Sequence, residues 1–245
     1  MPDPAPALIS LRNVALSYRR QKSMFSREKT RIWALEDVSF EVREGEKLGL
    51  VGRNGCGKST LMRILAKIFA PDHGSVSFAR PLHVQLLSLG VGFEGSLSGR
   101  ENAVLNGLLL GKSRRHIVSR LEKIQAFSEL GEFFDLPVST YSTGMNLRLG
   151  FSVAMETEPE VVLIDEIFGV GDAGFAQKSK QALREKFSSK GTVVLVSHQA
   201  NFVREFCDRV VWIEKGRTVM EGPTAEVMEH YTEAVRRESG LGAAS

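Results

Sequence analysis

The chain has 245 residues, of which 42% are hydrophobic and 25% charged, values that are ordinary for a globular protein. This length allows one large domain with a substantial core. The sequence contains no run of 18 or more apolar residues, so it does not predict a membrane-spanning helix. The net charge is +3, but residues 19–31 contain six Lys/Arg and one Glu, so the rest of the chain is slightly acidic and does not predict a nucleic-acid-binding surface.

The N-terminal part of the sequence predicts strands followed by one helix. Residues 8–18 and 38–51 contain apolar or alternating runs rich in Val, Leu and Phe, interrupted by turn signals such as Glu-Gly-Glu, and they predict strands. In residues 59–69, leucine and isoleucine recur at the helical positions 61, 64, 65 and 68, which predicts an amphipathic helix.

The C-terminal part of the sequence alternates between helices and strands. Residues 100–156 have helical periodicity and few strand signals. Short apolar runs that are typical of buried parallel strands follow at 161–165, 193–197 and 210–213, with helical stretches at 174–189 and 224–238. This order predicts an α/β fold with a mostly parallel sheet and helices on both faces, into which the helical block is inserted as a subdomain.

A glycine-rich segment at residues 52–59, GRNGCGKS, matches the phosphate-binding pattern G-x-x-x-x-G-K-[ST], and it follows a predicted strand and opens a predicted helix. Its glycines let backbone N–H groups approach a phosphate, and the helix N-terminus favours an anion there. Lys58 would then reach the β- and γ-phosphates as a catalytic cation, and Ser59 would offer its hydroxyl to magnesium. An ordinary glycine-rich turn is the alternative. The predicted nucleotide-binding set is Gly52, Arg53, Asn54, Gly55, Cys56, Gly57, Lys58, Ser59 and Thr60.

Two carboxylates end the apolar run at residues 161–165. Asp165 is predicted to hold magnesium, and Glu166 is predicted to orient or deprotonate the attacking water. An isolated Asp-Glu pair would more often be a solvated turn, but here it follows a phosphate-binding loop by about 100 residues on a predicted parallel strand. Together the two motifs predict a P-loop NTPase.

Three further motifs narrow this prediction. Tyr141-Ser-Thr-Gly-Met145 precedes the acidic strand, Gly-Val-Gly-Asp follows it at 169–172, and Ser-His ends a third strand at 197–198. Taken alone, the first is typical of a helix cap and His198 of a capping or core histidine. In this order, however, the set resembles the Walker A, signature, Walker B, D-loop and switch-histidine motifs of an ABC ATPase cassette.

The resemblance covers nearly the whole chain and can be made more specific. Segments 89–102, 140–151, 164–175 and 196–217 are similar to the ATPases that export O-antigen, capsule and teichoic-acid chains. That family has a Tyr-Ser-x-Gly-Met signature, a Gly-Arg-Glu-Asn run and Val-Gly-Asp after the Walker B carboxylates, and all three occur here.

This resemblance implies one ABC ATPase domain over residues 1–245. It would have a RecA-like catalytic core at about 8–95 and 157–238, with antiparallel strands at its N-terminus, and an inserted α-helical signature subdomain at about 96–156. It would have no C-terminal carbohydrate-binding domain. The two cysteines are too few for a disulfide framework, which fits a reducing cytosol.

The resemblance also implies a mechanism that uses ATP and Mg²⁺. Two copies would pair head to tail, so that Ser142 and Gly144 of one contact the ATP held by the other. Asp172 would bridge the copies, and His198 would hydrogen-bond the γ-phosphate. The implied partners are a second copy, a transmembrane permease and, through it, a lipid-linked polysaccharide, but not a nucleic acid. The implied location is the cytoplasmic face of the inner membrane.

Two positions depart from the family pattern and stay open. The glutamine that usually leads into the helical subdomain has no obvious counterpart, and Gln85 and Glu94 are its candidates. Tyr18 is the preferred candidate for stacking on adenine, Trp33 is its competitor, and a plain core aromatic is an equal alternative for either. Cys56 is interpreted as a small spacer that is exposed in the loop, since phosphoryl transfer here needs no protein nucleophile.

Two other functions compete with polysaccharide export. An ABC ATPase for another transported substrate, such as a lipid or drug, would share every motif named above. A non-transport ABC ATPase acting on ribosomes or DNA is less favoured, because this chain has a single cassette and no heptad region for a coiled coil.

Overall fold

The computed structural model of the chain describes residues 5–21, 29–87, 92–157, 159–165, 173–187, 191–197 and 199–238. Glu166, Asp172 and His198, which the sequence predicts to be site residues, lie outside the described residues. The chain divides into two compact units. The first comprises residues 1–86, 161–165 and 189–245, and the second comprises 87–160 and 166–188.

The first unit contains a large sheet with helices. Its strands are β1 (Ala7–Gln21), β2 (Lys29–Arg43), β3 (Lys47–Val51), β4 (His73–Phe78), β5 (Val84–Leu87), β6 (Val161–Asp165), β7 (Thr192–Val196), β8 (Arg209–Glu214) and β9 (Arg217–Pro223). Its helices are α1 (Lys58–Leu65), α7 (Ala200–Phe206) and α8 (Thr224–Glu238). Among the described residues the strand order is β4-β1-β2-β9-β8-β3-β7-β6-β5.

Parallel strands form the centre of this sheet. β3 pairs in parallel with β7 and β8, and β6 pairs in parallel with β7. β3, β6 and β7 are almost entirely buried, as expected for strands that are covered on both faces, whereas three of the six residues of β8 are half-buried. The apolar runs that the sequence assigned to parallel strands are therefore confirmed, with boundaries that shift by one residue for β7 and β8.

The N-terminal strands are antiparallel, as the family resemblance implied. β1 pairs with β2 from Ala7↔Arg43 to Gln21↔Lys29, and β1 also pairs with β4. The turn signal Glu-Gly-Glu within 38–51 does separate two strands, since Gly45 adopts a φ of 75° in the turn between β2 and β3. The sequence analysis missed β4, β5 and β9.

Helix α1 ends earlier than the predicted range of 59–69. It stops at Leu65, and Lys67 has a left-handed φ of 61°, so the helix cannot continue. Leu61 and Ile64 face the core as predicted, at 0% and 2% exposure, but Ile68 is 59% exposed. The spacing of Ile68 fitted the helical pattern by coincidence, and its assignment to the buried face is wrong.

The second unit is helical. It contains α2 (Gly99–Leu109), α3 (Arg114–Val118), α4 (Leu121–Ser128), α5 (Thr143–Met155) and α6 (Ala173–Lys186), with short 3-10 helices at Gly131–Asp135 and Val138–Thr140. Its core includes Ile117, Ile124, Phe134, Leu149 and Val153. Helix α6 thus belongs to the helical unit, whereas the sequence analysis assigned residues 157–238 to the catalytic core. None of the helices in the described residues is long and apolar enough to cross a membrane.

Candidate functional site

The candidate site begins at the carboxyl edge of the parallel strands. In register, Leu50 of β3 and Asp165 of β6 both pair with Val196 of β7. The glycine-rich loop that follows β3, the carboxylate of Asp165 and Ser197 therefore lie at the same edge of the sheet. In open α/β sheets this edge is where ligands bind.

Two glycines of the glycine-rich loop pack too closely against their neighbours to carry a side chain. At Gly52 an added Cβ would lie 2.0 Å from the carbonyl oxygen of Ile213. At Gly57, which has a φ of 106° and caps α1, a Cβ would lie 2.5 Å from the carbonyl oxygen of Ala34. No side chain caps the N-terminus of α1. The loop and helix therefore leave backbone N–H groups for a ligand at this end.

The loop encloses the amine of Lys58. Its Nζ donates hydrogen bonds to the carbonyl oxygens of Gly52, at 2.7 Å, and Arg53, at 2.9 Å, and the residue is only 6% exposed. The cation thus lies within the curve of the loop, while Arg53, Asn54 and Gly55 at its tip are exposed. A phosphate that entered the loop would meet a charge-assisted donor already held in place.

Cys56 is buried, which corrects the expectation that it is exposed in the loop. The residue is 4% exposed, and its Sγ lies 3.8 Å from Lys58 Nζ. Burial raises the pKa of the Cys56 thiol, although the Lys58 ammonium acts in the opposite direction. Its N–H donates to Arg53 and its carbonyl accepts from Gly216, so it is a spacer whose backbone holds the loop.

The two aromatic candidates for adenine stacking lie on opposite faces of the β1–β2 ribbon. Trp33 pairs with Ser17, and Tyr18 pairs with Ile32. The hydroxyl of Tyr18 is 3.0 Å from that of Thr60 in the first turn of α1, whereas Trp33 packs against His73, with ring centroids 5.8 Å apart. The structure therefore brings Tyr18, but not Trp33, to the helix that follows the glycine-rich loop.

Ser59 and Asp165, the residues predicted to bind Mg²⁺, both have side-chain oxygen atoms. Ser59 is exposed in the first turn of α1, and Asp165 is half-buried at the end of β6. Hydroxyl and carboxylate oxygens are ligands that Mg²⁺ prefers, so the chemistry of these two donors fits the ion.

The predicted signature residues lie at the start of α5 in the helical unit. Ser142 is the N-cap, and its hydroxyl accepts a hydrogen bond of 3.2 Å from the N–H of Met145. The interpretation of Tyr141–Met145 as a helix cap is therefore correct for the structure of this chain. At Gly144 an added Cβ would have as its nearest neighbour only Ser142 Oγ, at 3.8 Å.

The Gly-Arg-Glu-Asn run opens α2, and the sequence analysis missed what its residues do. Ser98 and Glu101 form a capping box, which the spacing Ser-x-x-Glu could have revealed. Arg100 makes a bidentate ion pair with Asp135, with an Nε–Oδ1 distance of 2.6 Å, and this contact lowers the pKa of Asp135. Asn102 is fully buried and holds the preceding loop by four hydrogen bonds.

The two candidates for the missing glutamine have different surroundings. Gln85 is 3% exposed within β5, so it is not available at a surface. Glu94 is exposed, and hydrogen bonds from the hydroxyl and N–H of Ser96 lower its pKa. Residues 88–91, which separate the two, lie outside the described residues.

Comparison with solved structures supports the same fold. An ATP-binding subunit of an ABC transporter aligns with a TM-score of 0.74 and 22% identity, covering 97% of this chain and 95% of that one. The dimeric ATP-binding cassette MJ0796, solved with ADP and Pi, aligns with a TM-score of 0.73 and 22% identity over 88% of this chain and 98% of its own.

Sequence comparison identifies more similar relatives. An O-antigen export system ATP-binding protein of Klebsiella pneumoniae is 45% identical over 82% of this chain and 82% of its own length. A teichoic acids export ATP-binding protein of Lactococcus lactis is 39% identical over 86% of this chain. The chain spans 45% of that relative's length and 48% of a Myxococcus xanthus O-antigen export protein.

The ABC transporter family matches residues 35–169, which is more than half of the chain and includes the glycine-rich loop, the signature residues and both carboxylates. The match fits the site described above, with its loop and Asp165 at the carboxyl edge of a parallel sheet and a separate helical unit that carries Ser142. The chain belongs to the ABC transporter family, in the group that includes the ATP-binding proteins of O-antigen and teichoic acid export.

Proposed function

We propose that this chain is the ATP-hydrolysing subunit of an ABC exporter that moves a lipid-linked surface polysaccharide across the cytoplasmic membrane. One observation carries the proposal: the Lys58 amine is enclosed by a glycine-rich loop at the carboxyl edge of the sheet, on the same edge as Asp165. The substrate class rests on the relatives, whose names state O-antigen and teichoic acid export.

The bound triphosphate would lie along the loop from Gly52 to Gly57. Lys58 would exchange its two carbonyl acceptors for β- and γ-phosphate oxygens, which as anions accept stronger hydrogen bonds. The uncapped N-terminus of α1 adds N–H donors and a partial positive charge. The ring of Tyr18, fixed near this helix through Thr60, would stack on the adenine.

Ser59 and Asp165 would hold Mg²⁺. When bound, this ion neutralises charge that develops on the phosphates during transfer. Glu166, which directly follows Asp165, would orient or deprotonate the attacking water, and His198 would donate a hydrogen bond to the γ-phosphate. Asp172 would contact the second copy.

A second copy would complete the site. Ser142 and Gly144, at an exposed helix start, would contact the γ-phosphate of ATP that is bound to the other copy. ATP would thus close the dimer, and hydrolysis would release it, because the γ-phosphate completes both halves of the site. A transmembrane permease would convert this cycle into transport at the cytoplasmic face of the membrane.

Paired variants test the catalytic roles. Lys58→Ala should weaken ATP binding and abolish hydrolysis, because the phosphates lose their main cation. Lys123→Ala, which removes an exposed lysine of α4, is the matched control and should behave like the wild type. Glu166→Gln should bind ATP and accumulate as a dimer without turnover, as measured by size-exclusion chromatography and phosphate release. Normal hydrolysis by the Gln variant would remove Glu166 from its proposed role.

The transported substrate is tested in cells that lack the gene. Lipid-linked polysaccharide should accumulate inside the cytoplasmic membrane and disappear from the cell surface. The gene for Lys123→Ala should restore export, and the gene for Lys58→Ala should not. Normal surface polysaccharide in the deletion strain would instead favour a different transported substrate, such as a lipid or drug.

A further inference from the structure

Two loops of the helical unit are joined by backbone hydrogen bonds just before α2 and α5 begin. Gly99 N–H donates to Leu136, Val138 N–H donates to Leu97, and Ser139 N–H donates to Gly95, at 3.2, 2.9 and 2.9 Å. Ser98 also forms an isolated antiparallel bridge with Pro137. We call residues 95–99 and 136–139 the loop pair.

Tyr141, just before α5, contacts both the loop pair and the 3-10 helix that precedes it. Its hydroxyl donates a hydrogen bond of 2.6 Å to the carbonyl oxygen of Phe133. The same hydroxyl lies so close to Gly99 that a Cβ on that residue would be 2.1 Å from it. Gly99 has no positive φ, so close packing and not backbone conformation excludes a larger residue there. The Tyr141 hydroxyl makes the shortest contact, and the carbonyl oxygen of Phe134 would lie 3.0 Å from the added Cβ.

Asn102 fixes the other side of the loop pair. Its Nδ2 donates to the carbonyl oxygens of Glu94, Leu97 and Ser98, and its Oδ1 accepts from the N–H of Glu94. All four distances lie between 2.8 and 3.1 Å, and the residue is 0% exposed. The loop on which Tyr141 rests is therefore held from within the same unit.

Within the described residues, the hydrogen bond of the Ser142 side chain is, by contrast, a local one. That side chain is exposed, and its hydroxyl accepts a hydrogen bond from Met145 three residues ahead in the same helix. Its placement in the unit therefore depends on the preceding residue, Tyr141, and on the start of α5.

We propose that Tyr141 is a positioning residue for Ser142, and that Gly99 is required because its missing side chain admits the Tyr141 hydroxyl. This inference rests on the proposed function, in which Ser142 acts on ATP bound to a second copy. The Gly-Arg-Glu-Asn run and the tyrosine of the signature then share one role, because together they set the position of the residue that contacts ATP.

The test is a double-mutant cycle in the full chain. Gly99→Ala should displace Tyr141 and lower kcat for ATP at least tenfold, while affinity for a fluorescent ATP analogue changes less than twofold, because Lys58 lies in the other unit. Tyr141→Phe keeps the ring but loses one hydrogen bond, and should lower kcat about threefold. In the double variant the 2.1 Å contact disappears, and the nearest remaining atoms are the carbonyl oxygen of Phe134 at 3.0 Å and a ring carbon of Tyr141 at 3.2 Å, so kcat should recover most of the way to the level of Tyr141→Phe.

Gly107→Ala is the matched control for a loss of stability alone. It lies in the same helix, where its Cβ would be 2.3 Å from Ile117 Cγ1, but it does not touch the loop pair. It should lower the melting temperature with little change in kcat at 20 °C. Two results would overturn the positioning role of Tyr141. One is an equal loss of kcat in Gly99→Ala and Gly107→Ala at equal melting temperatures, and the other is no recovery of kcat in the double variant.

Ser142→Ala separates this inference from the proposed function. If Ser142→Ala lowers kcat strongly and Gly99→Ala does not, the inference is wrong and the proposed function stands. If Ser142→Ala retains wild-type kcat, the role of Ser142 in the proposed function is wrong, and the inference that rests on it is wrong as well.

Discussion

Gly144 offers a test in which stability and activity should change in opposite directions. A Cβ at this position would meet nothing closer than Ser142 Oγ at 3.8 Å, an ordinary contact, and the residue has no positive φ. Packing within the part of the chain that the structure describes therefore does not require glycine at position 144. Within a helix, glycine is less stable than alanine by about 0.5–1 kcal/mol.

Gly144→Ala should therefore stabilise the isolated chain. A gain of about 0.5 kcal/mol is expected because the residue lies in the first turn of α5, where the helix is less constrained. For a protein of this size that gain raises the melting temperature by roughly 1–2 °C. Differential scanning calorimetry of the nucleotide-free protein at low concentration would measure it.

ATP hydrolysis should fall in the same variant. In the proposed dimer, the backbone at Gly144 approaches the γ-phosphate, and an added methyl group would hold the phosphate away from the N–H groups of α5. Loss of one such donor at a reacting centre costs about a hundredfold in kcat. A steady-state phosphate-release assay with both copies substituted would measure the loss.

Ser142→Ala is the companion to this variant. It removes the N-cap hydrogen bond, so both stability and kcat should decrease, the former by about 1 kcal/mol. A Gly144→Ala protein that is more stable and fully active would refute the reasoning, since no contact outside the chain would then require glycine. A less stable one would show that the Cβ is not accommodated.

Three further predictions concern the first unit. Cys56 is buried and the pKa of its thiol is raised, so iodoacetamide at neutral pH should alkylate it at least tenfold more slowly than free cysteine. Mass spectrometry would follow the labelling, and a rate equal to that of free cysteine would contradict the loop packing. Tyr18→Ala should weaken ATP binding about tenfold, measured by calorimetry, while Trp33→Ala should not; the reverse result would exchange their roles. Replacing Arg19 and Arg31, exposed and paired across the β1–β2 ribbon, by Gln should reduce salt-sensitive binding to anionic vesicles about tenfold. Neutralising two arginines of α3 is the control, and equal binding of all forms would indicate a solvated ribbon.

The buried parallel strands were predictable because their sequences have only one stable environment. Runs such as residues 161–165 and 193–196 have no polar residue before the last position, so they need cover on both faces. The edge strands lack this constraint. β9, for example, alternates between exposed and half-buried residues and ends at Pro223, so its apolar content is too low for the pattern to identify it.

The phosphate-binding loop was predictable for a different reason. Its chemistry restricts several neighbouring positions at once, and the structure gives each a physical cause, such as the 2.0 Å approach of Ile213 to Gly52. Helix α1 shows the limit of this approach. Its apolar spacing continued to Ile68, but Lys67 is left-handed and the N–H of Ile68 bonds back to the carbonyl oxygen of Arg63, a helix end that apolar spacing does not record.

The choice between Tyr18 and Trp33 could not be made from the sequence, because both lie near the tip of the same ribbon. Strand register decides which face each occupies, and a shift by one residue would exchange them. The bulges between Leu11 and Ser17 set that register, and no sequence signal identified them.

Gly99 and Gly144 are both in motifs that identify the family, yet the structure requires only one of them. Gly99 is needed by the chain itself, since Tyr141 occupies the space of its side chain. Its neighbours Arg100, Glu101 and Asn102 likewise have partners within the helical unit. Gly144 has open space beside it among the described residues, so none of them accounts for a requirement for glycine there. Under the proposed function, the two glycines would therefore separate residues that build the helical unit from residues that meet ATP on a second copy.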